Sequence, residues 1–209
     1  MGVGVNNGYT TSCNENAMTR TYTLKRRAEQ QAETRRRIVD AAVGLHASVG
    51  PALTTVSMVA RRAGVQRHTV YAHFPDEWSL SLACSGQVLD RDPLPDAERW
   101  RAIADASDRL AAGLDAVYGW YERNADLAAC VLRDGEYHAP TKRINELRME
   151  PVFGAWCEVL GESRTEGQRA MVRLALGYFT WRSLARESGL DRASAVQTMV
   201  RAVEASPAG

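Results

Sequence analysis

The chain has 209 residues, with 45% hydrophobic and 24% charged side chains and a net formal charge of +1. That is ordinary for a soluble globular protein and long enough for one or two domains with real cores. The charge is uneven: residues 20–77 carry ten Lys/Arg against five Asp/Glu, a net of +5, whereas residues 78–209 carry sixteen against nineteen, a net of −3. A basic N-terminal part with an anionic partner is expected, followed by a part with another task. Cys13, Cys84, Cys130 and Cys157 form no CxxC pair, which argues against a zinc or redox motif and reads as reduced thiols in a cytoplasm. No secretory signal is visible. Gly44, Gly50 and Pro51 break up the uncharged run 41–60, so it does not read as a membrane span.

Residues 1–24 are polar and turn-forming and read as a disordered extension. Helical periodicity then dominates. Ile38, Ala41, Ala42, Leu45 and Val49 mark one face of a first helix from about Lys25, stopped by Gly50-Pro51. Val56, Val59, Ala60 and Ala63 define a short second helix, capped by Thr54 or Thr55 and ended by Gly64. A third runs from about Gln66 to Phe74, and a fourth from Asp76 to near Asp92. The Pro-rich, acidic stretch "DRDPLPDAE" then reads as a domain boundary. Helices are expected over 97–124, 126–133, 142–160, 166–187 and 192–205. No stretch alternates with period two. The expectation is an all-α chain of about nine helices: an extension over 1–24, a helix-turn-helix unit over 25–92 and a second helical unit over 93–209.

A short helix, a turn containing Gly64 and a second short helix make a helix-turn-helix. Val65, Val70 and Phe74 should anchor the third helix inward. At 100° per residue His68 and Ala72 then point outward, with Thr69 and Tyr71 on the flanks and Arg67 in the first turn. The first turn of such a helix meets base edges in the major groove. Arg67 suits a guanine, Gln66 an adenine and His68 a base acceptor. Thr69, Tyr71 and His73 have reach and donors suited to phosphate oxygens. The basic run Lys25–Arg37, Arg27 included, is expected as an arm and helix for backbone or minor-groove contact.

The segment "TTVSMVARRAGVQRHTVYAHFPDEWSL", Thr54 to Leu80, resembles the DNA-binding signature of the TetR family of bacterial transcriptional regulators. It has the Thr-rich cap, the Ala-Gly-Val turn and the Thr-hydrophobic-Tyr-x-His-Phe run. The resemblance implies base-reading positions at Arg67, His68 and Thr69, and phosphate contacts at Thr55, Tyr71 and His73. It also implies a homodimer joined by the eighth and ninth helices, a palindromic operator and a small-molecule effector cavity in the fifth to eighth helices. Glu77 departs from the pattern, because the family commonly has a Lys there.

Aromatics are dense in the C-terminal part, and Trp120, Tyr121, Phe153, Trp156 and Tyr178 are the candidate cavity residues. An apolar or aromatic effector of modest size is expected, oriented by groups such as Glu122, Asn124 or His138. The apolar stripes Leu174, Tyr178, Trp181 and Val196, Met199, Val203 are expected at the dimer interface. Asp134, Glu136 and His138 alternate, but a polar surface loop is the expectation rather than a metal site. There is no HExxH, P-loop, GxSxG or dinucleotide motif, so neither enzyme nor cofactor is expected. The reading is a cytoplasmic, nucleoid-associated repressor released from DNA by its effector. Two rivals stay open: a regulator without an effector, which a dry, collapsed C-terminal core would favour, and a helical enzyme with a vestigial helix-turn-helix, which would need a convergent catalytic trio.

Overall fold

A computed structural model describes Met1 and residues 12–206. Among these residues all regular structure is helical, with eleven α-helices and no strand. Helix α1 spans Ser12–His46. It begins well before Lys25, so part of the stretch expected to be disordered is helix, and the basic run lies on that helix rather than on a free arm. No Gly or Pro interrupts Ser12 to Val43, and extending a nucleated helix costs far less than starting one. The rest of the expected extension, residues 2–11, lies outside the described residues.

After α1, Gly50 takes φ 95° and leads into a single 3-10 turn, Pro51–Leu53. Helix α2 (Val56–Ala63) is capped by Thr55, whose side-chain oxygen accepts from the Met58 N–H at 3.3 Å. Gly64 ends it at φ 66°, in the left-handed region that a side chain would strain. Helix α3 (Arg67–His73) and helix α4 (Glu77–Arg91) follow. Asp76 starts α4 with a capping box: its carboxylate accepts from the Ser79 N–H at 2.7 Å, and Ser79 faces the Asp76 N–H in return. Ile38, Ala42, Val59, Val70 and Phe74 close this first core almost completely to water. Full burial of a Val or Phe contributes roughly 1.5–3 kcal/mol each.

Beyond Asp92 the chain makes a 3-10 turn at Ala97–Trp100, then helix α5 (Ala106–Arg123). The expected single helix from 97 is broken because Asp105 caps a fresh start, accepting from the N–H groups of Ser107 and Asp108. Helices α6 (Ala125–Gly135), α7 (Ala139–Arg148) and α8 (Glu150–Leu160) follow. The expected helix over 142–160 is two, divided at Met149, because Pro151 has no N–H to continue the ladder from α7. The expected helix over 166–187 divides likewise at Gly177 into α9 (Glu166–Ala175) and α10 (Tyr178–Arg182). A turn of π-helix prolongs α10, with the Ser188 N–H bonded to the Ser183 carbonyl at 2.9 Å. Helix α11 (Arg192–Glu204) completes the chain and packs along α5. Leu110, Leu114, Val117, Tyr118, Trp156, Trp181 and Val203 fill this second core. Leu89 of α4 packs against the second core and Leu127 of α6 against the first, so the two cores are stitched together.

Candidate functional site

Helix α3 stands on Val70 and Phe74, buried on its inner side. That seating leaves Gln66, Arg67, His68, Tyr71 and Ala72 exposed, with Thr69 and His73 half-buried at the flanks. Arg67 and His68 occupy the first turn, the end that meets base edges when such a helix enters the major groove. Thr55 is exposed at the start of α2; its oxygen accepts a capping bond while its O–H remains able to donate. Arg27 is exposed on α1, roughly 16 Å along the helix from Ile38 at 1.5 Å per residue. Of the Arg35-Arg36-Arg37 run, Arg35 stacks on Phe74 at 4.6 Å and Arg36 pairs with Glu33 and Asp40.

A cavity of about 400 Å³ lies between the two cores. Trp120, Tyr121, Phe153 and Tyr178 line it. Their edge-on stacking fixes the wall: Tyr121 and Tyr178 meet at 5.3 Å and 88°, Trp120 and Tyr121 at 5.9 Å and 71°. The polar tips of these rings point away and are satisfied by backbone carbonyls. The Tyr121 hydroxyl donates to Leu176 at 2.8 Å, Tyr178 to Ala125 at 2.9 Å, and the Trp120 indole N–H to Asp92 at 3.0 Å. Burial pushes the Tyr121 hydroxyl well above its ordinary range, the Cys84 thiol up to about 12 and the His46 imidazole down to about 4. These wall groups are therefore uncharged near neutrality, and the charged side chains of the lining are Arg148 and Glu150.

Trp156, a candidate on aromatic grounds, does not line this cavity. It is fully buried in the second core, and its indole N–H donates to the Pro95 carbonyl at 2.8 Å. Neither do the three polar candidates. Glu122 is exposed beside Arg192, Asn124 is bonded to Asp92, and His138 pairs with Glu77. Sequence reasoning missed the other half of the wall: Val43 and His46 from α1, Ser81, Cys84, Ser85 and Val88 from α4, and Ile144 and Arg148 from α7. The small residues in "SLSLACSG" were the available signal, since a helix face of Ser, Cys and Ala leaves space beside it.

Helix α4 is thus a wall of the cavity and also the next helix after α3. It is held at both ends. Near its start, Glu77 lies 3.2 Å from His138 Nε2, and Trp78 lies under the Arg143 guanidinium at 4.2 Å. The acid at the unusual position is therefore turned toward the second core. At the far end Asp92 takes hydrogen bonds from Arg123 and Asn124. The Arg123 bonds chiefly hold its carboxyl below the usual range.

A second tether joins α6 to the turn after α1. Asp134 is fully buried and accepts from the Ala52 N–H at 2.9 Å, the Tyr137 hydroxyl at 2.8 Å and Arg133 Nε at 2.8 Å. Burial alone would raise its carboxyl; these donors outweigh that and hold it low. Arg133 also reaches the Val49 carbonyl at 3.3 Å. The segment expected to be a solvated surface loop is therefore a joint between the cores, because Gly50 leaves room for the carboxylate. A Cβ there would press on Asp134 Oδ2 and Arg133 Nη2. No group of three potential metal ligands occurs among the described residues, and no described helix is long and apolar enough to cross a membrane.

The model of bacterial regulatory proteins of the tetR family matches residues 38–81, the stretch from the first buried turn of α1 into α4. Over 100 residues the chain is 36% identical to the HTH-type transcriptional regulator TtgW of Pseudomonas putida, covering 45% of this chain and 70% of that protein. It is equally similar to the HTH-type transcriptional regulator SrpR of the same species, but spans only 44% of that protein's length. Two solved structures share the fold. One is a transcriptional regulator FadR from Bacillus subtilis in complex with stearoyl-CoA, with TM-score 0.59, 20% identity, and coverage of 81% of this chain and 97% of that one. The other is NalD, the secondary repressor of the MexAB-OprM multidrug efflux pump in Pseudomonas aeruginosa, with TM-score 0.58, 23% identity, and coverage of 84% and 96%. With its helix-turn-helix presented on a buried Val70–Phe74 seat, the chain belongs to the TetR family of DNA-binding bacterial transcriptional regulators.

Proposed function

We propose that the protein is a homodimeric repressor that binds a palindromic operator and releases it when a small, largely apolar effector enters the cavity. The observation that carries this reading is the shared wall: α1 and α4 close one side of the cavity, and α5 to α8 with α10 close the other. A ligand filling it touches Ser81, Cys84 and Val88 on the helix directly after the recognition helix. It therefore binds one placement of α4 better than another, which is the differential affinity that a switch requires. The volume falls within the range of drug-sized sites, and the lining is aromatic and aliphatic. The stearoyl-CoA of the FadR structure and the repressor role of NalD agree with this reading but belong to those proteins.

On DNA, Arg67, His68, Thr69 and Gln66 read bases, while Thr55, Tyr71, His73 and Arg27 hold phosphates. The chain folds as a DNA-binding unit over 25–92 and an effector and dimerisation unit over 93–209. The dimer uses the outer faces of α9, α10 and α11. The side chains first expected there need revision. Tyr178, Trp181, Val196, Met199 and Val203 are buried within the chain's own core, whereas Leu174 and Phe179 are exposed. Those two are the apolar anchors a two-fold partner would cover. The protein acts as a regulator rather than an enzyme, and works in the cytoplasm at the nucleoid.

Sequencing the genomic fragments that the protein retains identifies the operator. Its half-sites should be inverted and spaced to match two recognition helices about one DNA turn, or a multiple of it, apart. A compound that raises the melting temperature should lower operator affinity, and by linkage the operator should lower affinity for the compound by the same factor. Stabilising compounds that leave DNA binding unchanged would refute the coupling.

A further inference from the structure

We propose that Arg148 is the head-group anchor of the cavity and that the effector is an amphiphilic monocarboxylic acid. This rests on the reading of the cavity as the effector site. Arg148 is the last residue of α7 and one of two charged side chains in the lining. Its Nε is buried and has no hydrogen-bond partner, and the guanidinium makes no ion pair within 4.0 Å among the described residues. A half-buried cation left this way is costly unless something neutralises it. Elsewhere in the wall the donors are spent: Tyr121, Tyr178 and Trp120 give their hydrogens to backbone carbonyls outside the cavity. A ligand acceptor entering the cavity therefore meets one unspent cationic donor.

The chemistry of that donor selects the head group. The Nε–Nη edge of a guanidinium presents two parallel N–H groups that match the two oxygens of a carboxylate. A phosphate dianion would bring a second negative charge with no second cation to meet it, since burial holds His46 neutral and Glu150 on the same wall repels anions. A ligand ammonium would face the guanidinium itself. The apolar body of the acid lies along Tyr121, Tyr178, Phe153, Val88 and Ile144, where it gains contact area and loses no hydrogen bonds.

The test uses two body shapes, each with a charged and a neutral head. 2-Naphthoate is compared with 2-naphthamide and 2-naphthylmethylammonium, and dodecanoate with dodecanol, by calorimetry and melting temperature on the full-length protein at pH 7. The carboxylate of at least one pair is expected to bind ten-fold or more tightly than its neutral partner. In Arg148→Met that preference should fall within three-fold, with affinity for the neutral partner unchanged. Arg148→Lys should keep part of it, as a point charge without the paired N–H edge. Equal binding of carboxylate and neutral partner to the native protein would overturn the head-group assignment and leave the cavity reading standing. Preference for the ammonium would overturn it in favour of Glu150. Binding of none of the five probes would overturn both.

Discussion

Replacing Asp134 tests whether the joint between the two cores is a structural bond of consequence. Asp134→Ala removes three accepted hydrogen bonds from a fully buried carboxylate. Tyr137 and Arg133 are exposed enough to turn to water, so their loss is small. The Ala52 N–H is different. It belongs to the turn after Gly50 and gives up a bond to an ionised acceptor, which contributes about 1.5–3 kcal/mol. Adding the volume left empty, the cost should be about 2–4 kcal/mol, or a fall in melting temperature on the order of 5–15 °C for a chain of this length. Gly50→Ala should also destabilise, both through its φ of 95° and by pressing on Asp134 Oδ2 and Arg133 Nη2. Because the second effect needs Asp134, the double variant should lose less than the two singles combined. Thermal and urea unfolding of all four proteins measure this. A fall under 2 °C for Asp134→Ala, or strict additivity with Gly50→Ala, would refute the argument.

Burial depresses His46 to about 4 against an ordinary 6.5, with Asp134 opposing and His138 adding to the shift. The unfolded chain then binds the proton more readily, so this contribution is full above about pH 6.5 and lost as pH falls toward 4. His46→Gln should spare about 2 kcal/mol of the stability lost between pH 7 and 5; urea midpoints at the two pH values will show whether it does. Arg67→Ala should cost about 1–3 kcal/mol on the operator and relax preference at one base pair, whereas Tyr71→Phe should weaken operator and random DNA alike, as binding titrations on both DNAs would reveal. Leu174→Glu with Phe179→Glu should give a folded monomer on sizing chromatography. Val203→Glu should instead lower the melting temperature steeply, since Val203 has no exposure within its own subunit. An intact dimer in the first variant would move the interface elsewhere.

Short-range patterns made the helices and the DNA-reading face legible from the residues alone. Thr55, Gly64 and Asp76 set their turns and caps by local hydrogen bonding and backbone sterics, and a 3.6-residue period fixes Val70 and Phe74 inward, which leaves Arg67 and His68 outward whatever the rest of the chain does. The breaks at Met149 and Gly177 were written there too, in Pro151 and Gly177, although the apolar period ran through them. Other features were not. Whether an aromatic ring lines a void or fills a core depends on what packs on its far side, and Trp156 and Tyr178 look alike on a helical wheel while only Tyr178 meets the cavity. The same ambiguity hid which apolar stripes of α10 and α11 face inward. The burial of Asp134, the turn of Glu77 toward His138 and the unpaired Arg148 each depend on residues brought together from distant parts of the chain. Local sequence fixes the direction in which a side chain leaves its helix; only the packing of helices against one another decides what it meets.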